Sequence, residues 1–430
     1  WGLAASIVNV TVGGGIFRLP SSPDVAGRLG AAAPLAYLVC AGVMALIVVC
    51  FAEAGSRVSL TGGPYAYVEV AFGPFAGFMT GVLLWLGGTA AVAAVSTVFV
   101  RSVVDLLPRS ADLAWLSGPA ARWAELGLTF AIVTAANVVG VRQGARLSAA
   151  STVAKLVPLV MLATAGLGAV NGANLRWETA PAAGDVTRAS AFLIFAFAGI
   201  ESALVPSGEV RDPARTVPRG IFLAMTCVTV LYVLLQVVAQ GVLGPALVAS
   251  ETPLADAAGR VFGPWGARLL SLGVVLSTFG YLSGMTLAMP RALFAFARDG
   301  ILPRSLAAVH PRFRTPHVAI VVQSVIALLL AVGNAFEKLM IIASVSVLLV
   351  YLAGALAAWQ LRRRGVQTAG GTPFRIPGAA IVPWVAAAVI LGLLSSITLK
   401  EWSVLAGILA AAAALFLLRS RTPAPVNESL

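Results

Sequence analysis

Three kinds of residue in this chain stand where an apolar segment should not carry them. Lys155 lies in ASTVAKLVPLV, roughly two turns into an otherwise apolar run. Glu201 follows a glycine in FAFAGIESALVP (195–206), and Arg18 follows three glycines in NVTVGGGIFRLP (9–20). An ionisable group inside a membrane span points first to ion or proton handling. Lys155 could instead snorkel to the interface, and Glu201 could serve as a hinge, a proton carrier or a carboxylate at a helix N-terminus. Arg18 reads as part of an ion pair at the rim of a vestibule, or as an attractor of carboxylates. The glycines supply the second chemistry. Gly13, Gly14 and Gly15 let backbone approach a ligand carboxylate, with the N–H groups of Gly14, Gly15 and Ile16 as donors, because a Cβ would block that approach. Close helix packing is the competing use of such glycines.

These residues need membrane helices to position them. The chain has 430 residues, 59% hydrophobic and 11% charged, with mean hydropathy +0.94. Runs of about 20 apolar residues cross a bilayer as helices, and such runs recur along the whole length. The reading is an all-α polytopic membrane protein of about twelve spans, at 2–29, 34–57, 73–100, 123–141, 148–169, 189–206, 218–243, 266–289, 316–334, 338–361, 380–398 and 402–419. Spans one and six each carry glycine and then proline mid-span, and each is followed by four more spans. That pattern predicts two inverted units with discontinuous helices one and six. The units are 1–170 and 189–361, followed by two extra helices at 380–419 and a cytoplasmic tail at 420–430. Arginines cluster in the loops that share a side with both termini, including Arg142, Arg211, Arg298, Arg312, Arg362 and Arg421. The positive-inside rule then puts both termini in the cytoplasm of a plasma or inner cell membrane. The first span is followed by many others, so it is not read as a cleaved signal. Native residues are expected before Trp1.

A helix broken at mid-membrane exposes N–H and C=O groups that lipid cannot satisfy, so the break must be buried or wet. Two opposed breaks make a site with an anion pole and a cation pole, which suits a zwitterionic α-amino acid. The net charge of +12 follows from the loop arginines, and no basic stripe with interleaved aromatics suggests nucleic acid. Cys40, Cys50 and Cys227 sit in apolar runs without metal or disulfide spacing. His310 and His317 share a basic loop without acidic partners. No cofactor or metal is expected. No HExxH or GxSxG motif lies in a span, which argues against a membrane-embedded enzyme, and no repeated filter loop suggests a channel.

The chain resembles the amino acid–polyamine–organocation transporters of the LeuT-like fold. GGGIF is similar to that family's glycine-rich first-helix motif. TGGPYAYVEVAFGPFAGF (61–78), FAFAGIESALVPSGEVRDPARTVPRGI (195–221) and ARDGILPRSLAAVHPRFRTPH (297–317) resemble its later signatures. The resemblance implies alternating access, with the substrate carboxylate at Gly13–Ile16 and the amine at backbone carbonyls near Thr11, Phe195 and Ala198, beside Gly199. It implies an aromatic gate at Phe195, and a substrate-facing Met285 that could equally be a core methionine. A lysine at the position of Lys155 replaces sodium by protonation in some members, while other members with it are exchangers. Ser277 and Thr278 could supply sodium ligands, so sodium is kept as a lesser alternative to the proton. The small site without a dedicated acidic residue on Gly13–Phe17 favours a neutral amino acid.

Overall fold

The computed structural model describes all residues except 1, 59–62, 107–117, 141–144, 178, 204–212, 335, 368–372, 376–377, 379 and 420–430. The tail and Arg142, Arg211 and Arg421 therefore lie outside the described residues, which contain helices and no strand.

Helix lengths follow the apolar runs. Among the described residues, six helical segments are by themselves long and apolar enough to cross a bilayer: those overlapping α3 (Ala33–Arg57), α5 (Pro74–Leu106), α10 (Pro213–Leu243), α12 (Pro264–Ala288), α15 (Phe336–Arg363) and α17 (Leu399–Arg419). This is a multi-pass membrane protein. At other spans expected from the sequence stand α6 (Pro119–Val139), α7 (Ala145–Ala165), α14 (His317–Gly333) and α16 (Val382–Leu394), and two broken helices. The first span is α1 (Gly2–Thr11) and α2 (Gly14–Arg18), separated by Val12 and Gly13. The sixth is α8 (Ala183–Phe197) and α9 (Ile200–Ala203), separated by Ala198 and Gly199. Gly199 has φ +130, a conformation that favours a residue without Cβ. Both breaks expected from the sequence are present.

Three short α-helices lie outside the expected spans, two of them just ahead of long helices. α4 (Pro64–Phe72) precedes α5, and α11 (Pro253–Phe262) precedes α12. Each ends in the same tripeptide, Phe72-Gly73-Pro74 and Phe262-Gly263-Pro264. Gly73 at φ +95 and Gly263 at φ +77 turn the chain, and the proline opens the next helix where its missing N–H costs nothing. α12 is followed at once by α13 (Pro290–Arg298), with Met289 at the joint.

Small residues bring the helices close, as membrane packing requires. α3 and α15 meet where a Cβ on Gly354 would lie 2.6 Å from Cζ of Phe51. Phe51 stands edge-on to the Tyr351 ring at 5.7 Å. At one end of this pair the carboxylate of Glu53, fully buried, accepts from Arg57 Nε at 3.1 Å and Nη2 at 3.0 Å. It also accepts from Arg362 Nε at 2.7 Å and from Arg362 Nη2. Removing one member of a buried ion cluster leaves the others uncompensated. Glu53→Ala is expected to cost about 3–5 kcal/mol, read as a lower melting midpoint of the purified protein, with Glu53→Gln less affected. An unchanged midpoint would show that the arginines reach water without their partner.

Candidate functional site

The two breaks face one cavity of about 50 Å³. Gly13 caps α2 without a side-chain hydrogen bond, so the first-turn N–H groups of Gly14, Gly15 and Ile16 have no partner one turn back. Space at the glycines is graded. A Cβ on Gly13 would meet Cδ2 of Tyr281 at an ordinary 3.5 Å. On Gly14 it would lie 2.7 Å from a Val95 methyl, and on Gly15 2.8 Å from Cα of Ala196. The last contact is backbone of the other broken helix. Close packing and a ligand cradle therefore coincide at this glycine run.

Thr11, Gly13, Gly14, Gly15, Phe195, Ala198, Gly199, Glu201 and Met285 all line the cavity. Ile16 is fully buried and is not on its wall. Thr11 Oγ1 is buried without a hydrogen-bond partner, which leaves a hydroxyl for a ligand. Phe195 stands edge-on to Phe336, ring centroids 6.0 Å apart. Phe336 lines a second cavity of about 270 Å³, which also holds Arg18, Arg101, Glu125 and Glu337. The two rings thus stand between the cavities. Arg18, on the wall of this second cavity, donates to the Ser250 carbonyl at 3.0 Å.

Lys155 is 5% exposed and lies beside the first break. Its Nζ donates to the carbonyls of Asn9 at 2.5 Å and Val12 at 2.9 Å. The first belongs to the last turn of α1 and the second to the break itself, where helical donors are lacking. Ser277 Oγ donates to the same Val12 carbonyl at 3.4 Å, whereas Thr278 Oγ1 donates to Val274 within its own helix at 2.7 Å. Glu201 is tied locally. Its oxygens each lie 2.9 Å from the Gly199 N–H, and Tyr351 donates to Oε2 at 2.7 Å.

Sequence reasoning missed Tyr232 and Tyr351. The Tyr232 hydroxyl lies 2.9 Å from the Thr11 carbonyl and 3.0 Å from that of Ala196, so one donor is shared between the ends of α1 and α8. The available signal was a tyrosine within an apolar run, since a buried phenol seeks a partner. Tyr232→Phe strands those carbonyls, at about 1–3 kcal/mol. The expected result is a roughly tenfold weaker ligand Kd, together with a lower melting midpoint. An unchanged Kd would confine this hydroxyl to a packing role.

A multi-span helical protein with a small cavity at two facing helix breaks has an architecture suited to carrying a small molecule across a membrane. The comparisons specify which kind. A sequence model described as amino acid permease matches residues 1–418. An uncharacterized transporter of Mycobacterium tuberculosis is 33% identical, covering 72% of this chain and 70% of its own. The serine/threonine exchanger SteT of Bacillus subtilis is 28% identical, covering 83% and 81%. The branched-chain amino acid permease BcaP of the same organism is 26% identical, covering 88% and 83%. The chain belongs to the amino acid permease family.

Proposed function

We propose that this protein is a secondary transporter of neutral amino acids that works by alternating access and couples uptake to protons through Lys155. The observation that carries this reading is the shared cavity of the two breaks. The first-turn N–H groups of α2 suit a carboxylate, and the carbonyl ends of α1 and α8, joined there by the Tyr232 hydroxyl, suit an ammonium. Around them the walls are mostly apolar. The one carboxylate on the wall, Glu201, is held by Gly199 and Tyr351, which leaves none dedicated to a cationic side chain. Phe195 against Phe336 suits a gate.

The proposed architecture is a 5+5 inverted repeat of about twelve spans with both termini cytoplasmic. The paired breaks support it, as do the two Phe-Gly-Pro corners before α5 and α12. A second reading is an uncoupled exchanger, favoured by the similarity to SteT and by an amine that is tied to the first break through the Asn9 and Val12 carbonyls. The deciding experiment is uptake of an amino acid panel by purified protein in liposomes, with and without an imposed pH gradient and sodium. Saturable accumulation of small neutral amino acids driven by an inward proton gradient is expected. Uptake that requires amino acid inside and ignores the gradient would establish the exchanger. Absence of any saturable uptake would remove the transport reading of this cavity.

A further inference from the structure

We propose that Met289 is the residue that sets the largest side chain this site accepts, a thioether plug seated in a notch on α5. The inference rests on the reading of the cavity as an amino acid site and names its substrate class: alanine, serine and threonine rather than leucine or phenylalanine.

The notch comes from sequence. α5 turns Gly87, Gly88 and Ala91 toward the cavity, so its surface there is recessed. A Cβ on Gly88 would lie 2.1 Å from Sδ of Met289 and 3.0 Å from its Cγ. The thioether therefore rests directly on the glycine backbone. The backbone of Met289 is held at the joint of two helices. Its N–H donates to the Met285 carbonyl at 2.9 Å, and Pro290 opens α13 immediately after it. The anchor is rigid, and the side chain, unbranched with three rotatable bonds, is soft.

Leu84, Val95 and Val347 on this wall are branched and less able to yield. Of the two flexible methionines on the cavity, Met285 and Met289, it is Met289 that is seated on the glycine notch, so withdrawing it is the direct way to make room for a larger ligand side chain. Truncation to alanine removes Cγ, Sδ and Cε and opens the notch down to Gly88, space that suits a branched aliphatic group. An added Cβ at Gly88 does the opposite and pushes the thioether into the cavity. A methylene fitted or refused in an apolar pocket is worth about 10–200-fold in discrimination.

The test is uptake of labelled serine and labelled leucine by liposomes holding wild type, Met289→Ala, Met289→Phe or Gly88→Ala, each checked for monodispersity and melting midpoint. The wild type is expected to favour serine over leucine by at least about tenfold. Met289→Ala should raise the leucine-to-serine ratio by about tenfold or more, and Gly88→Ala and Met289→Phe should lower it. An unchanged ratio in a folded Met289→Ala, with serine still carried, overturns the plug and leaves the site reading standing. A wild type that already prefers leucine also overturns it. If the wild type carries no amino acid, the site reading itself fails and the plug with it.

Discussion

Lys155→Ala is expected to abolish gradient-driven accumulation while exchange of substrate across the membrane survives. The amine reaches the carbonyls of Asn9 and Val12, and so ties α7 to the end of α1. Protonated, it makes charge-assisted bonds worth about 1.5–3 kcal/mol each. In the proposed coupling, loss of the proton would weaken both and free α1 to move. Shifting a conformational equilibrium a hundredfold needs about 2.7 kcal/mol, which these two bonds can supply. The cycle would run from a protonated amine that holds α1 in place to a neutral one that releases it. Uptake under an imposed pH gradient, compared with counterflow at equal pH, separates the coupling from the pathway. Undiminished accumulation by the variant would sink the coupling role, as would strict dependence of the wild type on sodium. Ser277 lies on the same Val12 carbonyl, so Ser277→Ala is a sensible companion measurement for any residual cation effect.

Gly15→Val should lose substrate binding by at least about a hundredfold, and unlike a pure ligand-site change it should also lower the melting midpoint. Its Cβ would sit 2.8 Å from Cα of Ala196 and 3.1 Å from the Phe195 ring. Phe195 can rotate, but Ala196 is backbone of α8, so the two broken helices must part. Overpacking of this kind costs about 1–3 kcal/mol and displaces both poles of the cavity at once. The sequence alone suggests a variant that folds and simply fails to bind. The geometry instead assigns that behaviour to Gly13→Ala, whose methyl finds ordinary contact distance to Tyr281 and narrows the cavity without separating helices. Calorimetric binding and melting of both variants checks the contrast. Wild-type affinity in a folded Gly15→Val would place the ligand away from this break.

What could be read from the chain follows from rules that act over one helix turn. Apolar length sets which segments cross a bilayer, and glycine with proline sets where a span must break. The positions of both breaks are therefore legible, as is an ionisable lysine within an apolar run, whose burial against the first break the fold supplies. The short helices α4 and α11 were not legible. At nine and ten residues they are too short for an apolar-length signal, and α4 is held by packing on α5 and α15. Only tertiary structure decided which carbonyls Lys155 takes, since helix rotation and approach choose among several within reach. It alone joined Tyr232 to Thr11 and Ala196, residues 221 and 36 positions away, and seated Met289 on Gly88. Partners so distant in sequence are brought to contact distance by side-chain packing between helices, which no local pattern encodes. The sequence by itself determined the long apolar helices, the two breaks and the chemistry available at them. The fold decided which groups of that chemistry touch.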